Sequence, residues 1–245
     1  MEIVWLEGEV PFLTTDQMRE VDRAMAEDVG IDPVRMMENA GRNLAHLARG
    51  RFLDGDGRGK SVIVLAGPGG NGGGALVAAR RLHGYGTLVG VVATREPEHM
   101  AAVPAQQLRI LENVGVPLTV GEMPPVRPPD LIIDGLLGYG LKGAPRGITA
   151  ELIEWANASM APVLSLDIPS GLDATTGKVF SPVIAATATM TLALPKQGLR
   201  FPERSDVVGE LYLADIGVPA GLYTVEPLGL QVGPIFARSD VVRLA

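Results

Sequence analysis

The residues best suited to chemistry lie in four short segments. The first is Gly67-Pro68-Gly69-Gly70-Asn71-Gly72-Gly73-Gly74, and the second is Asp134-Gly135-Leu136-Leu137-Gly138-Tyr139-Gly140-Leu141-Lys142-Gly143. The third is Asp167-Ile168-Pro169-Ser170-Gly171-Leu172-Asp173, and the fourth is Pro195-Lys196-Gln197-Gly198. Glycine packed before a helix start suits an anion, because bare N–H groups and the positive end of the helix dipole face it. Phosphate is the natural candidate. Asp134, Asp167, Ser170 and the Asn71 side chain offer hard oxygen donors with no His or Cys among them. Such donors suit an alkali or alkaline-earth cation and not a transition metal. The same two aspartates could equally cap loops at strand ends, and residue type alone leaves both roles open. Lys142 and Lys196 either bring positive charge to a phosphate or stand solvated.

Weaker patterns point in fewer directions. Gly67, Gly69 and Gly72 spell G-x-G-x-x-G, but the dinucleotide fingerprint wants an acid about 20 residues on. Thr94 stands there, with Glu96 nearby, so a conventional nicotinamide dehydrogenase has partial support. Asp54 to Ser61 reads D-G-D-G-R-G-K-S, which lacks the first glycine of a P-loop and precedes its strand. It reads as a solvated turn. The chain has no cysteine and 3 histidines. That removes disulfides, thiolate nucleophiles, zinc fingers and iron–sulfur sites. His46, His83 and His99 stand too far apart for ligand spacing or a Ser–His–Asp triad.

The elements that must position these segments alternate. Thr14-Thr15-Asp16 can cap a helix whose apolar face is Met18, Val21, Met25 and Val29, ended by Gly30. Asp32-Pro33 opens a second helix, with Met37, Ala40, Leu44 and Leu47 as its stripe. Branched apolar runs predict buried parallel strands at 60–66, 88–93, 130–134, 163–167, 186–194 and 208–214. Helices are expected at 75–82, 104–113 and 148–156, with Gly67 to Gly74 as a loop. This alternation predicts a doubly wound parallel sheet with helices on both faces. All four special segments then follow the carboxyl ends of strands, where the ligand crevice of such sheets lies. Residues 51–59 and 123–129 read as loops, and the last thirty, without clear period, as a tail packed on the domain.

Composition narrows the function. The chain has 245 residues, 47% hydrophobic and 20% charged, which excludes a disordered polymer. A formal charge of −7 argues against nucleic-acid polymers, which need a basic surface, and 4% aromatic content leaves little for base stacking. The acidic lead Met1 to Glu7 lacks the basic region of a signal peptide, and no apolar run suits a membrane span. A cytoplasmic location is expected.

Taken together, the motifs resemble the YjeF N-terminal-domain family, whose enzymes are NAD(P)H-hydrate epimerases. The markers are Met37-Glu38-Asn39-Ala40-Gly41, the glycine segment, Asp134 to Gly140, Asp167 to Asp173, and Ala214-Asp215-Ile216-Gly217-Val218-Pro219. The resemblance runs from about 14 to 219. It implies one domain over 1–245 with a C-terminal tail at 220–245. It also implies a Rossmann-like three-layer α/β/α sandwich, with a mostly parallel central sheet and two leading helices.

The implied activity is an isomerase reaction. R and S forms of hydrated NAD(P)H interconvert, so that a separate dehydratase can repair the cofactor. The resemblance places substrate contacts at Gly70, Asn71, Gly72, Gly73 and Gly74, at Gly138, Tyr139, Gly140, Leu141, Lys142, Gly143 and Ala144, and at Asp167. It places potassium ligands at Asn71, Asp134 and Ser170. Asp167 is the expected proton-transfer group, the ligand a small phosphorylated nucleotide, and the assembly a homodimer. Some relatives are interaction domains, so a non-catalytic nucleotide-binding or scaffold role is the alternative. One departure bears on this choice. The family reads Asn-Asn-Gly-Gly-Asp-Gly where this chain has Gly70-Asn71-Gly72-Gly73-Gly74-Ala75. Losing an amide and a carboxylate predicts altered substrate preference or weakened catalysis.

Overall fold

The computed structural model describes residues 3–6, 8–124, 128–201 and 205–244. Parts of the expected lead at 1–7 and loop at 123–129 lie outside them. The strands are β1 (Val4–Trp5), β2 (Ser61–Ala66), β3 (Leu88–Ala93), β4 (Leu118–Val120), β5 (Leu131–Gly135), β6 (Val163–Leu166), β7 (Ala188–Leu192), β8 (Glu210–Ala214) and β9 (Val241–Arg243). The helices are α1 (Thr15–Ala24), α2 (Pro33–Phe52), α3 (Gly70–Gly84), α4 (Ala102–Asn113), α5 (Ile148–Ala158) and the single turns α6 (Ser205–Val208) and α7 (Ala220–Tyr223).

Alternation along β2 shows why the strands are apolar throughout. Val62, Val64 and Ala66 pack with Leu44 of α2, Leu76 of α3 and Leu108 of α4. Leu65 faces the other way, onto Leu152 and Ile153 of α5. Helices therefore cover both faces, and the layered α/β fold expected from the sequence is the fold observed. The sheet order is β1-β9-β8-β7-β6-β5-β2-β3-β4, and all pairs are parallel except β8 with β9. From β2 the chain steps outward to β3 and β4, then returns to β5 on the opposite side. That reversal opens a crevice at the carboxyl ends of β2 and β5.

Three boundaries differ from expectation. Helix α3 begins at Gly70, not Ala75, so much of the expected glycine loop is the first turn of a helix. Glycine's poor helix propensity hid this. Packing overrides it: a Cβ at Gly72 would lie 1.9 Å from the Gly67 carbonyl oxygen, so no other residue fits. Helix α4 begins at Ala102, which puts Pro104 inside the first turn, where a missing N–H still costs nothing. The tail packs on the domain as expected, but part of it is a strand that was not expected: β9 pairs with β8, and β1 adds beside it. Strands of two or three residues carry too little alternation to be read.

The leading helices follow their signals closely. Thr14 and Gln17 form a reciprocal capping box, and Asp32 caps α2 with Pro33 at its start. A π-helical turn over Met25–Val29 ends at Gly30, with φ +81°.

One ion cluster ties the sheet to α2. Glu210 of β8 accepts from Arg51 Nε and Nη2, both at 3.0 Å, and from the Tyr212 hydroxyl at 2.6 Å. Arg51 beside it holds the Glu210 carboxyl at about 2, below the ordinary 4.5. A depressed folded-state value means stability present above 4.5 and lost as pH falls toward 2. Glu210→Gln is expected to cost about 1 kcal/mol at neutral pH. Urea midpoints compared with wild type should show that gap narrowing by pH 3, and an equal gap at both pH values contradicts the assignment.

Candidate functional site

A cleft of about 430 Å³ opens at the carboxyl ends of β2, β5, β6 and β7, roofed by α1 and α2. Its walls include Gly70, Asn71, Gly72, Gly74, Gly138, Tyr139, Gly140, Asp167 and Lys196. The first segment enters it as the start of α3. Gly69 at the N-cap offers no side-chain acceptor, so the first-turn amides of Gly70, Asn71 and Gly72 have no intrahelical partner. These amides and the helix dipole make the floor of the cleft attractive to an anion.

Asp134, Ser170 and Asn71 meet behind that floor. Asp134 is 1% exposed and accepts four hydrogen bonds. Oδ1 takes the Ser170 hydroxyl at 2.6 Å and the Leu136 N–H at 3.2 Å. Oδ2 takes the Ser165 hydroxyl at 2.8 Å and the Ser170 N–H at 2.9 Å. Burial pushes the Asp134 carboxyl up, and these bonds oppose that rise. Asp134 is thus a cap that ties the loop after β5 to the loop after β6. The Ser170 hydroxyl also accepts from Leu137 N–H at 2.9 Å. Asn71 donates Nδ2 to the carbonyls of Leu137 at 3.0 Å and Leu166 at 2.7 Å. Two carbonyl acceptors fix the amide orientation. Asn71 Oδ1 accepts no hydrogen bond among the described residues, and it lies where a Cβ on Gly138 would be only 2.8 Å away.

Asp167 and Lys196 form the charged pair of the cleft. Lys196 is 0% exposed, so the solvated alternative does not hold for it. Its ammonium donates to Asp167 Oδ1 and to the Leu192 carbonyl at 2.8 Å. Asp167 Oδ1 also accepts from Thr191 Oγ1 and Leu192 N–H, both at 3.2 Å. The bonds from Lys196, Thr191 and Leu192 N–H all fall on Oδ1, which leaves Oδ2 without a partner among the described residues. Asp167 sits at φ +65°, a conformation that Asp tolerates better than most side chains.

Some expected contacts lie away from the cleft. Gly73 is buried against Met37, where a Cβ would lie 2.2 Å from the sulfur. Leu141, Lys142, Gly143 and Ala144 continue past the cleft wall, and Lys142 is exposed. Thr94 is buried, its hydroxyl has no partner among the described residues, and it is not part of the lining. The turn at 54–61 stands at the amino end of β2, with Lys60 paired to Asp54 and Arg58 to Asp56.

Sequence reasoning missed Asp22. It lies on α1, lines the cleft, and accepts a short hydrogen bond from the Tyr139 hydroxyl. Burial pushes the Asp22 carboxyl up, against the pull of that hydrogen bond and the Lys196 charge. Burial and the neighbouring Asp22 charge also push the Tyr139 phenol up. The available signal was periodicity: Asp22 falls four residues after Met18, inside the buried stripe of Met18, Val21 and Met25.

Comparison with known proteins adds a family to this geometry. A family model described as YjeF-related protein N-terminus matches residues 34–198, more than half of the chain. An NAD(P)H-hydrate epimerase of Dehalogenimonas lykanthroporepellens is 43% identical over 217 residues, covering 86% of this chain and 84% of the relative. One from Rhodopirellula baltica is 34% identical, covering 87% of each chain. A bifunctional NAD(P)H-hydrate repair enzyme of Salinibacter ruber is 37% identical, but the chain spans only 41% of its length. Among solved structures, yeast ynu0 superimposes with a TM-score of 0.82 at 23% identity, covering 96% of this chain and all of that one, a likeness of fold.

Proposed function

The chain belongs to the family of YjeF-related protein N-terminal domains, and from that premise we propose that it is an isomerase interconverting the R and S epimers of hydrated NAD(P)H, a cofactor-repair step. The observation that carries this reading is the identity, across most of both chains, with relatives named for that activity. The cleft supports it. The first-turn amides of α3, which have no intrahelical partner, suit the substrate's phosphates. Asp167, with one free carboxylate oxygen and Lys196 fixing the other, is the proton-transfer group at the hydrated ring. A dehydratase, supplied separately or by a fused domain, would use the product.

A potassium ion fits the residues behind the floor. Asn71 would bind it through the oxygen its own hydrogen bonds leave free, with Ser170 and Asp134 beside it. Among the described residues Asp134 forms no ion pair, and no group of three His, Asp or Glu could hold a metal. That donor set, an amide oxygen and a hydroxyl with a single carboxylate beside them, suits a singly charged ion better than a divalent one. When bound, the ion supplies positive charge next to the phosphate-binding turn.

Gly70 and Gly74 differ in what they allow. Among the described residues nothing lies within 4 Å of a Cβ at Gly70, so an Asn side chain fits there. A Cβ at Gly74 would lie 2.8 Å from Leu166 Cδ2, in a buried position. We read Gly74 as matched to its neighbour Leu166, and the site as competent.

The test is incubation with one epimer of hydrated NADPH, in potassium and in lithium buffers. Conversion should exceed the spontaneous rate and be faster in potassium. No acceleration at high enzyme concentration overturns the activity, and equal rates in both buffers overturn the ion. Gly70→Asn should fold normally, whereas Gly74→Asp should melt lower.

A further inference from the structure

We propose that Asp22 is a second proton-transfer group of this site, working from the α1 wall of the cleft while Asp167 works from the sheet. The proposal rests on the epimerase reading and deepens it.

The chemistry asks for two groups. A dihydronicotinamide is an enamine, so hydration places the hydroxyl on the ring carbon bonded to nitrogen. To invert that carbon, the C–O bond breaks and the oxygen takes up a proton, leaving as water. The ring nitrogen lends its electron pair to form C=N. Water then adds to the other face and gives up a proton, and the nitrogen recovers its pair. One proton enters and one departs on opposite faces of a flat ring, with no net oxidation. A single carboxyl cannot reach both faces without moving. Asp22 donates to the departing hydroxyl and Asp167 accepts from the incoming water. The roles exchange in the reverse direction, and solvent restores both groups.

The structure holds Asp22 for this task. Among the described residues it makes no ion pair, and its one hydrogen bond comes from Tyr139 to Oδ2, leaving Oδ1 open. A carboxyl within an apolar helix stripe costs stability, and here it borders the cleft. Its helix and the residue leading into it are tied to the site loops by four hydrogen bonds. Leu13 N–H donates to the Pro195 carbonyl at 2.8 Å, and Gln197 N–H returns a bond to Leu13 at 2.9 Å. Thr15 N–H donates to Thr175 Oγ1 at 2.9 Å, and Thr15 Oγ1 donates to the Tyr139 carbonyl at 3.3 Å. The ionisable groups facing Asp22 are Tyr139, Asp167, Lys196 and Tyr223. Of these only Lys196 carries positive charge, and its ammonium is bonded to Asp167. Burial keeps a proton on Asp22 to higher pH than an ordinary carboxyl, as a donor requires.

The experiment follows epimer conversion in water enriched in oxygen-18, with an enzyme-free control subtracted. Wild type should yield the new epimer carrying the heavy oxygen. Asp22→Asn should lower kcat by about 100-fold with KM nearly unchanged and a thermal midpoint no lower than wild type. Tyr139→Phe, which removes only the hydroxyl holding Asp22, should lower kcat by about 10-fold. It keeps the test open if the first variant folds poorly. An Asp22→Asn enzyme within about threefold of wild-type kcat, or an epimer that retains its original oxygen, overturns the proposal. Wild type that accelerates nothing overturns the epimerase reading itself, which is a separate outcome.

Discussion

Asp167→Ala is expected to lower the thermal midpoint by about 10 °C and to abolish epimer conversion. The two losses have different causes. Lys196 is fully buried, and its ammonium relies on Asp167 for its countercharge. Removing one partner of a buried pair costs about 3–5 kcal/mol, because the remaining charge is left uncompensated. Alanine at a positive φ adds about 1 kcal/mol. For a chain of this size each kcal/mol shifts the midpoint by about 2–4 °C. The double variant Asp167→Ala/Lys196→Met removes both charges. It should recover most of the midpoint, since an apolar replacement of a buried pair is often neutral. Conversion should stay absent in both. Asp167→Asn also removes the countercharge of Lys196 and should melt lower than wild type, but it keeps the shape and tolerates the backbone conformation, so it should fold and still lose about 10²–10⁴ in rate. Melting curves and epimer conversion on the same samples separate the effects. A single Asp167→Ala variant melting within about 2 °C of wild type contradicts the pairing argument.

The layered fold was legible because its strands are long enough to show their period. Residues 88–93 were read at their observed bounds, and the site loops were placed correctly at the carboxyl ends of β2, β5, β6 and β7. Short elements were not legible. β4 and β9 have three residues each, and only pairing with a neighbour makes them strands. The start of α3 was lost for a different reason. Its glycines are demanded by contacts with Gly67 and Met37, which no local signal carries.

The site shows the same division. Asp134, Asp167, Ser170 and Asn71 were legible as neighbours because each lies at, or a few residues beyond, the carboxyl end of a strand. Their division of labour was not. Asp134 and Ser170 bond each other, while Asp167 turns to Lys196, a residue whose burial depends on how Leu13 and the loop after β7 meet. Asp22 arrives from a helix more than a hundred residues away in sequence. Only its place in an apolar stripe hinted at a buried partner, which proved to be Tyr139.

Asp134 is the position where the smallest change should do the most structural damage. Asp134→Asn alters one atom, yet neither orientation of the amide fits. Each carboxylate oxygen accepts one backbone N–H: Leu136 on Oδ1 and Ser170 on Oδ2. Hydroxyls of Ser165 and Ser170 can rotate to offer a lone pair, but a backbone N–H cannot. Whichever way the amide is set, its NH₂ group meets a backbone donor in a site that water does not reach. One orphaned buried donor costs about 1–3 kcal/mol, and more where the lost acceptor was charged. The expected loss is therefore at least about 2 kcal/mol. Asp134→Ala orphans both backbone donors and should cost about 4 kcal/mol. Urea unfolding gives both values. The functional effect follows from what Asp134 joins. Without it the loop after β5 is no longer tied to the loop after β6, and Gly138 and Ser170 drift relative to Asn71. Any potassium dependence of conversion should then weaken in Asp134→Asn, while Ser165→Ala, which removes only a rotatable donor, should keep it. Equal unfolding midpoints for Asp134→Asn and wild type would show that these loops are held by something other than this carboxylate.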